Sequence, residues 1–179
     1  MKTDFGFFIA ADPELCTGCK ACELACFSAH NSPAPGKTVG SLASFVTPNL
    51  HVVRTAGGWS LATCRHCEDA PCLNVCQPKA ITRRGHEVIV DPALCIGCSD
   101  CIPVCPFGAI SIAPRLDSAS QDHGSSMAAR KCDLCQGSAD GPACVRACPN
   151  SALRLVDPES ERRQKGVQAV ETLIALSKL

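Results

Sequence analysis

The run Cys95-Ile-Gly-Cys98-Ser-Asp-Cys101-Ile-Pro-Val-Cys105-Pro106 decides how this chain is to be read. It sets four cysteines at the spacing C-x2-C-x2-C-x3-C and then turns on a proline. The same spacing recurs at Cys16, Cys19, Cys22 and Cys26. Two further groups, Cys64–Cys67–Cys72–Cys76 and Cys132–Cys135–Cys144–Cys148, stretch only the gap before the third cysteine. All four groups close with x3-C, and together they use all 16 cysteines of the 179 residues.

The flanks repeat as well. Asp12-Pro-Glu-Leu-Cys16 matches Asp91-Pro-Ala-Leu-Cys95, and Cys76-Gln-Pro-Lys-Ala-Ile81 shares a phrase with Cys105-Pro-Phe-Gly-Ala-Ile110 and Cys148-Pro-Asn-Ser-Ala-Leu153. Such self-similarity means one supersecondary unit used several times. Each unit reads as a short strand (Phe8–Ala10, Val88–Val90), a cysteine loop, a short helix and a closing strand. Gly85 marks a hairpin within Ile81–Val90, and Asn49–Thr55 with Trp59–Thr63 reads as another across Ala56-Gly-Gly58. Asn31–Gly40, rich in Pro and Gly, reads as loop, and Ala113–Arg130, rich in Ser, Ala and Asp, as a mobile linker. Asp157-Pro158 is an N-cap followed by Pro at the first helical position, and opens a helix to about Ser177.

Cysteines this dense are either a disulfide framework or metal ligands. Three cysteines at x2-x2 spacing wrap one corner of a cubane, and in the bacterial ferredoxin run the fourth ligates the other cluster of a pair. Pro106 and Pro149 turn the chain away after that fourth cysteine; Pro78 sits one residue later after Cys76, and Phe27 stands in the place after Cys26. Gly18 and Gly97 permit backbone conformations that aim N–H groups at sulfur. Zinc is the competing metal, since pairs of C-x2-C make zinc ribbons. A ribbon has no use for a third cysteine two residues on, nor for a fourth followed by Pro. The expectation is four 4Fe–4S clusters and no leftover thiol.

Two pairings of the groups are open from spacing. The second and third are separated by one hairpin, the compact layout of a two-cluster unit, which leaves the first and fourth to pair around them. Then Cys16, Cys19, Cys22 and Cys148 share one cluster, and Cys132, Cys135, Cys144 and Cys26 its mate. The inner pair takes Cys64, Cys67, Cys72 with Cys105, and Cys95, Cys98, Cys101 with Cys76. A sequential pairing, first with second and third with fourth, is the alternative.

The remaining composition narrows the function class. The count of 17 basic against 17 acidic residues omits the thiolates, so the loaded chain is net negative and its cations read as compensation, not as a nucleic-acid surface. The apolar run Phe5–Ala11 is too short for a signal-peptide core, Arg83-Arg84 is internal and no twin-arginine signal, and no stretch approaches the ~20 apolar residues of a membrane span. The chain reads as cytoplasmic, where thiols stay reduced. It has no phosphate-binding glycine loop and no nucleophile constellation, so no catalytic residue is expected. Arg65, His66, Lys20, Arg130 and Lys131 lie beside cysteines, where a cation raises a cluster's potential; each singly reads as surface or packing. Glu68 and Asp69 read as capping acids.

The phrases Cys67-Glu-Asp-Ala-Pro-Cys72, Cys105-Pro-Phe-Gly-Ala-Ile110, Lys131-Cys-Asp-Leu-Cys135 and Gly141-Pro-Ala-Cys-Val-Arg-Ala-Cys-Pro149 resemble the four-cluster electron-transfer subunits of molybdopterin oxidoreductases. Within them the chain is similar to the small iron–sulfur subunits of formate hydrogenlyase and related formate dehydrogenase–hydrogenase complexes. The resemblance implies the nested pairing of clusters. It also implies partners: a catalytic subunit with a molybdenum or tungsten pterin, a hydrogenase subunit, or both, with a second copy of a similar iron–sulfur subunit as a further candidate. The expected fold is α+β, two ferredoxin-like domains each with two clusters, one nested in the other. Residues 1–31 and 129–157 form the outer domain and 60–112 the inner one. Residues 32–59 are an inserted loop and hairpin, 113–128 a linker, and 158–179 a C-terminal docking helix whose Val167, Val170, Leu173, Ile174 and Leu176 make a broadly apolar face. The expected function is an electron relay between catalytic subunits. The alternative is a free-standing polyferredoxin, which has no need of that helix or of the extra hairpin.

Overall fold

The first strand of the chain pairs with the last, so the ends of the cysteine-bearing region are stitched together. The computed structural model describes residues 6–31, 40, 45–115 and 126–177. Its elements are β1 (Phe8–Ala11), α1 (Ala21–His30), β2 (His51–Thr55), β3 (Gly58–Ala62), α2 (Pro71–Val75), β4 (Ile81–Arg84), β5 (Glu87–Val90), β6 (Ser111–Pro114), β7 (Met127–Arg130), α3 (Ala143–Arg146), β8 (Leu153–Val156) and α4 (Pro158–Leu176). The class is α+β. Among the described residues the strands form four antiparallel two-stranded sheets, β1–β8, β2–β3, β4–β5 and β6–β7. In the first, Phe8 faces Val156 and Ala11 faces Leu153.

Two-stranded sheets are marginal alone, so the stability of this fold lies in what the sheets cover. Two cores do this work. One gathers Ile9, Leu50, Val52, Leu61 and Leu153 around Cys22, Cys26, Cys64, Cys132 and Cys144. The other gathers Ala70, Ala80, Ile81, Val88, Ile110, Ala128 and Ala129 around Cys72, Cys76, Cys95 and Cys101. Cys105 packs against both. The cores are built on sulfur, and few large side chains are needed.

The repeat seen in sequence is a repeat in geometry. Asp12 and Asp91 each accept a bond from the backbone N–H two residues on, at 2.9 and 2.8 Å, and each donates its own N–H to the carbonyl of Ala152 or Ala80. Gly18 and Gly97 both adopt φ 72°, and Lys79, Gly108 and Ser151, each three residues past a fourth cysteine, all have φ between 50 and 57°. At Gly18 a side chain has no room, because a Cβ would lie 2.5 Å from the Trp59 ring.

Several expectations meet a different structure. The stretch Ala113–Arg130 is not linker at its ends: β6 and β7 pair from Ser111↔Arg130 to Pro114↔Met127. Its middle, residues 116–125, lies outside the described residues, as do 32–39 of the expected loop. The third cysteine group has no helix; 3₁₀-type bonds from Ile102 N–H to Ser99 O (3.0 Å) and Cys105 N–H to Ile102 O (3.2 Å) form turns there instead. Pro103 lacks the donor that a longer helix would use. Conversely, Phe27 lets α1 run ten residues where α2 and α3 stop at five and four. Helix α4 starts on the expected N-cap, with Asp157 Oδ1 accepting from Glu159 N–H at 3.1 Å. No residue of α4 is buried.

Candidate metal centres

In the first group the closing x3-C step lies within a helix. On α1, Cys22 and Cys26 lie on one face about 6 Å apart along the axis, and both are buried. Cys22 lines a cavity with Cys16, Cys19 and Cys148, and Cys26 is not in its wall. In the second and third groups the last two cysteines line different cavities: Cys72 and Cys105 share one, Cys76 and Cys101 another.

These three cavities are of nearly equal volume. One of about 310 Å³ is lined by Cys16, Cys19, Cys22 and Cys148. A second, about 330 Å³, has Cys95, Cys98, Cys101 and Cys76 in its wall. The third, about 320 Å³, has Cys64, Cys67, Cys72 and Cys105. Each thus draws three sulfurs from one group and the last from another. The four remaining cysteines are Cys26, Cys132, Cys135 and Cys144; Cys26, Cys132 and Cys144 are buried in one core, which Cys22 also enters. All sixteen cysteines are free thiols.

Backbone N–H groups point at these sulfurs. Ala109 donates to Cys105 Sγ at 3.4 Å and Ala152 to Cys148 Sγ at 3.3 Å, the same i+4 step in two groups. His66 donates to Cys64, Leu134 to Cys132, Ala129 to Cys95 and Asn49 to Cys26, each at 3.4 Å, and Ala143 to Cys135 at 3.5 Å. Such donors favour sulfur that carries negative charge. Burial works the other way. It pushes the Cys22 and Cys101 thiols up to about 11 and Cys132 to about 12, and raises Cys144 further. A bare thiolate set is therefore unfavourable in these walls. A positively charged metal–sulfide core reverses that balance, and this donor set, apolar wall and N–H pattern fit a 4Fe–4S group.

Contacts between cysteine groups lock the arrangement. His30 Nε2 lies 2.8 Å from Asp133 Oδ1 and His30 Nδ1 lies 2.7 Å from Cys26 O, joining α1 to the fourth group. The Asp133 hydrogen bond, helped by Cys26, raises His30 to about 11, and burial opposes it. Asp133 also accepts from Cys135 N–H at 3.0 Å. Asn150 Nδ2 donates to Leu15 O and Thr17 Oγ1, both at 3.2 Å, tying the fourth group to the first.

The cations beside the cysteines divide sharply. Lys20 is exposed, as a surface reading expects. Arg65 is half-buried, its guanidinium 4.0 Å from the Phe8 ring centroid and 5.9 Å from that of Phe107. Of the two alternatives, surface or packing, His66 and Lys131 take packing, being 0% and 4% exposed. His66 Nδ1 accepts from Val88 N–H at 2.9 Å, and burial, with Lys131 nearby, lowers its pKa to about 3, so it is neutral. Asp69 accepts from Asn74 Nδ2 at 2.9 Å, a turn bond at α2.

The model of the 4Fe-4S dicluster domain matches residues 59–158. The chain belongs to this family. Its relatives include the electron transport protein HydN of Escherichia coli strain K12, 40% identical over 84% of this chain and 87% of that protein. Hydrogenase-4 component A of the same organism is 38% identical over 88% of this chain and 85% of its own. Formate hydrogenlyase subunit 2, also from that strain, is 38% identical over 84% and 81%. This is accordingly an electron-transfer iron–sulfur protein with 4Fe–4S clusters. Among the described residues no helix is long and apolar enough to cross a membrane.

Proposed function

We propose that the chain holds four 4Fe–4S clusters and relays electrons between catalytic subunits of an oxidoreductase complex, with no substrate site of its own. The ligand sets are Cys16, Cys19, Cys22 with Cys148; Cys132, Cys135, Cys144 with Cys26; Cys64, Cys67, Cys72 with Cys105; and Cys95, Cys98, Cys101 with Cys76. The observation that carries this reading is the way each cavity wall borrows its last cysteine from another group. The clusters supply one-electron chemistry; the chain's own residues bind them, exclude water and set their charge environment. The pairing of β1 with β8 supports an outer two-cluster unit closed around an inner one.

The partners we propose are a formate dehydrogenase-type subunit with a molybdenum or tungsten pterin, a hydrogenase subunit, or both. Support comes from the relatives' names, hydrogenase-4 component A and formate hydrogenlyase subunit 2. The location we propose is the cytoplasm, a reducing compartment in which cysteines remain available as metal ligands. Helix α4 is the docking element: Val167, Val170, Leu173, Ile174 and Leu176 are 49–66% exposed, and their burial in a partner gives ~1.5–3 kcal/mol for each large side chain.

The test is metal content and particle size on the full chain, purified anaerobically, and on a chain ending at Asp157. About sixteen iron and about sixteen labile sulfide per chain are expected in both, with assembly weakened only by truncation. Stoichiometric zinc without sulfide defeats the cluster reading. Clusters lost on truncation, with assembly intact, defeat the docking helix.

A further inference from the structure

We propose that Lys131 sets the reduction potential of the cluster bound by Cys64, Cys67, Cys72 and Cys105, holding it above the value it would have without that cation. The proposal rests on the ligand set argued above. Lys131 precedes Cys132, a ligand of a different cluster in that scheme, yet its side chain lines the Cys64–Cys67–Cys72–Cys105 cavity. It is 4% exposed. Its Nζ donates to Val88 O and, at 2.9 Å, to Cys132 O. Two carbonyls solvate an ammonium but do not neutralise it. Among the described residues no carboxylate stands within ion-pair distance of it; Glu87 feels it only through space.

A buried, unpaired cation is costly unless an anion faces it. Here the facing groups are sulfurs: Lys131 shares its cavity wall with Cys64, Cys67, Cys72 and Cys105. The other two described cavities lack such a group. Lys20, in the wall of the Cys16 cavity, is exposed, and the Cys76–Cys95–Cys98–Cys101 cavity has no cationic side chain in its wall. When the Cys64–Cys67–Cys72–Cys105 cluster takes one electron from a low-potential donor, no bond forms or breaks. The site gains one negative charge, and a fixed cation in its wall stabilises that reduced form. This cavity also contains Cys105, the side chain packed against both sulfur-built cores.

The experiment is an anaerobic redox titration of the full chain, using dithionite and followed by electron paramagnetic resonance, with iron and sulfide measured on each sample. Lys131→Met removes the charge at similar length, Lys131→Gln keeps an N–H for the two carbonyls, and Lys131→Arg keeps the charge. The affected signal is identified as the one missing in Cys67→Ser. In Lys131→Met or Lys131→Gln the reduced-to-oxidised ratio of that cluster at a fixed potential should fall on the order of tenfold, which is ~59 mV for one electron. The other clusters should stay within about twofold, and Lys131→Arg should restore the ratio. Full iron with an unmoved potential in the neutral variants overturns the proposal, as does an Arg variant shifted as far as Met. Iron lost from that cluster in both neutral variants but kept in Lys131→Arg also overturns it, because the charge then holds the cluster and does not tune it. Wild-type protein without labile sulfide fails earlier and differently, since it removes the ligand set itself.

Discussion

Helix α2 feeds two cavities of nearly equal volume, and their walls differ in nearly everything but sulfur. Cys72 goes to one of about 320 Å³, whose wall also holds Arg65 and the buried Lys131. Cys76 goes to one of about 330 Å³, whose polar wall residues are Ser99 and Asp100, and whose Cys98 is exposed. The four-sulfur motif therefore fixes that a cluster binds, while the residues between and beyond the cysteines decide how protected it is and how readily it takes an electron. Two sites with one motif need not be two equal stations.

The largest consequence is chemical survival. Susceptibility of sulfur to oxidation follows exposure. On limited exposure to air, iron should leave first from the sets with an exposed cysteine, Cys98 and Cys19, and later from the set holding Cys64 and Cys72. Time-resolved iron loss, paired with the spectra of Cys98→Ser and Cys67→Ser, checks the order. Simultaneous loss from all sets would erase the contrast between the two cavities.

A graded effect on potential comes next. Arg65 is half-buried and stacked on Phe8, so Arg65→Gln should lower the reduced fraction of the Cys64–Cys67–Cys72–Cys105 cluster by less than the roughly tenfold expected for Lys131, about threefold at low salt. Asp100 is exposed. Asp100→Asn should raise the reduced fraction of the other cluster by less than about twofold, and 0.15 M salt should shrink that further. The same redox titrations give both numbers. An Asp100 effect as large as that of Lys131 would show that burial is not what ranks these charges.

Much of this was legible in sequence because the signals are local. The repeat Asp12-Pro/Asp91-Pro, the Gly85 hairpin and the Asp157 N-cap each depend on neighbours a few residues away. So does the x3-C step of the first group, which places Cys22 and Cys26 on one face of α1. What escaped depends on distant packing. Strand β7 reads as linker because Ala128 and Ala129 are small, yet they are small because they are 1% and 5% exposed, with Ala129 N–H on Cys95 Sγ at 3.4 Å. A lone Lys131 or His66 reads as surface or packing without a choice between them, since nothing nearby in sequence announces that Val88, more than twenty residues from His66 and forty from Lys131, supplies a bonding partner to each. The departure at Phe27 was visible, but its result, a longer α1 carrying His30 to Asp133, required the fold.

The central claim is that each group's fourth cysteine serves another group's cluster, and comparison of three single variants tests it most directly. Cys16→Ser, Cys132→Ser and Cys148→Ser are each reduced anaerobically, and the cluster signal altered in each is recorded by electron paramagnetic resonance. Cys148 lines one cavity with Cys16, Cys19 and Cys22, so Cys148→Ser should alter the same signal as Cys16→Ser and leave the one altered by Cys132→Ser intact. A Cys148→Ser protein that loses the signal of Cys132→Ser, and keeps that of Cys16→Ser, would contradict the account.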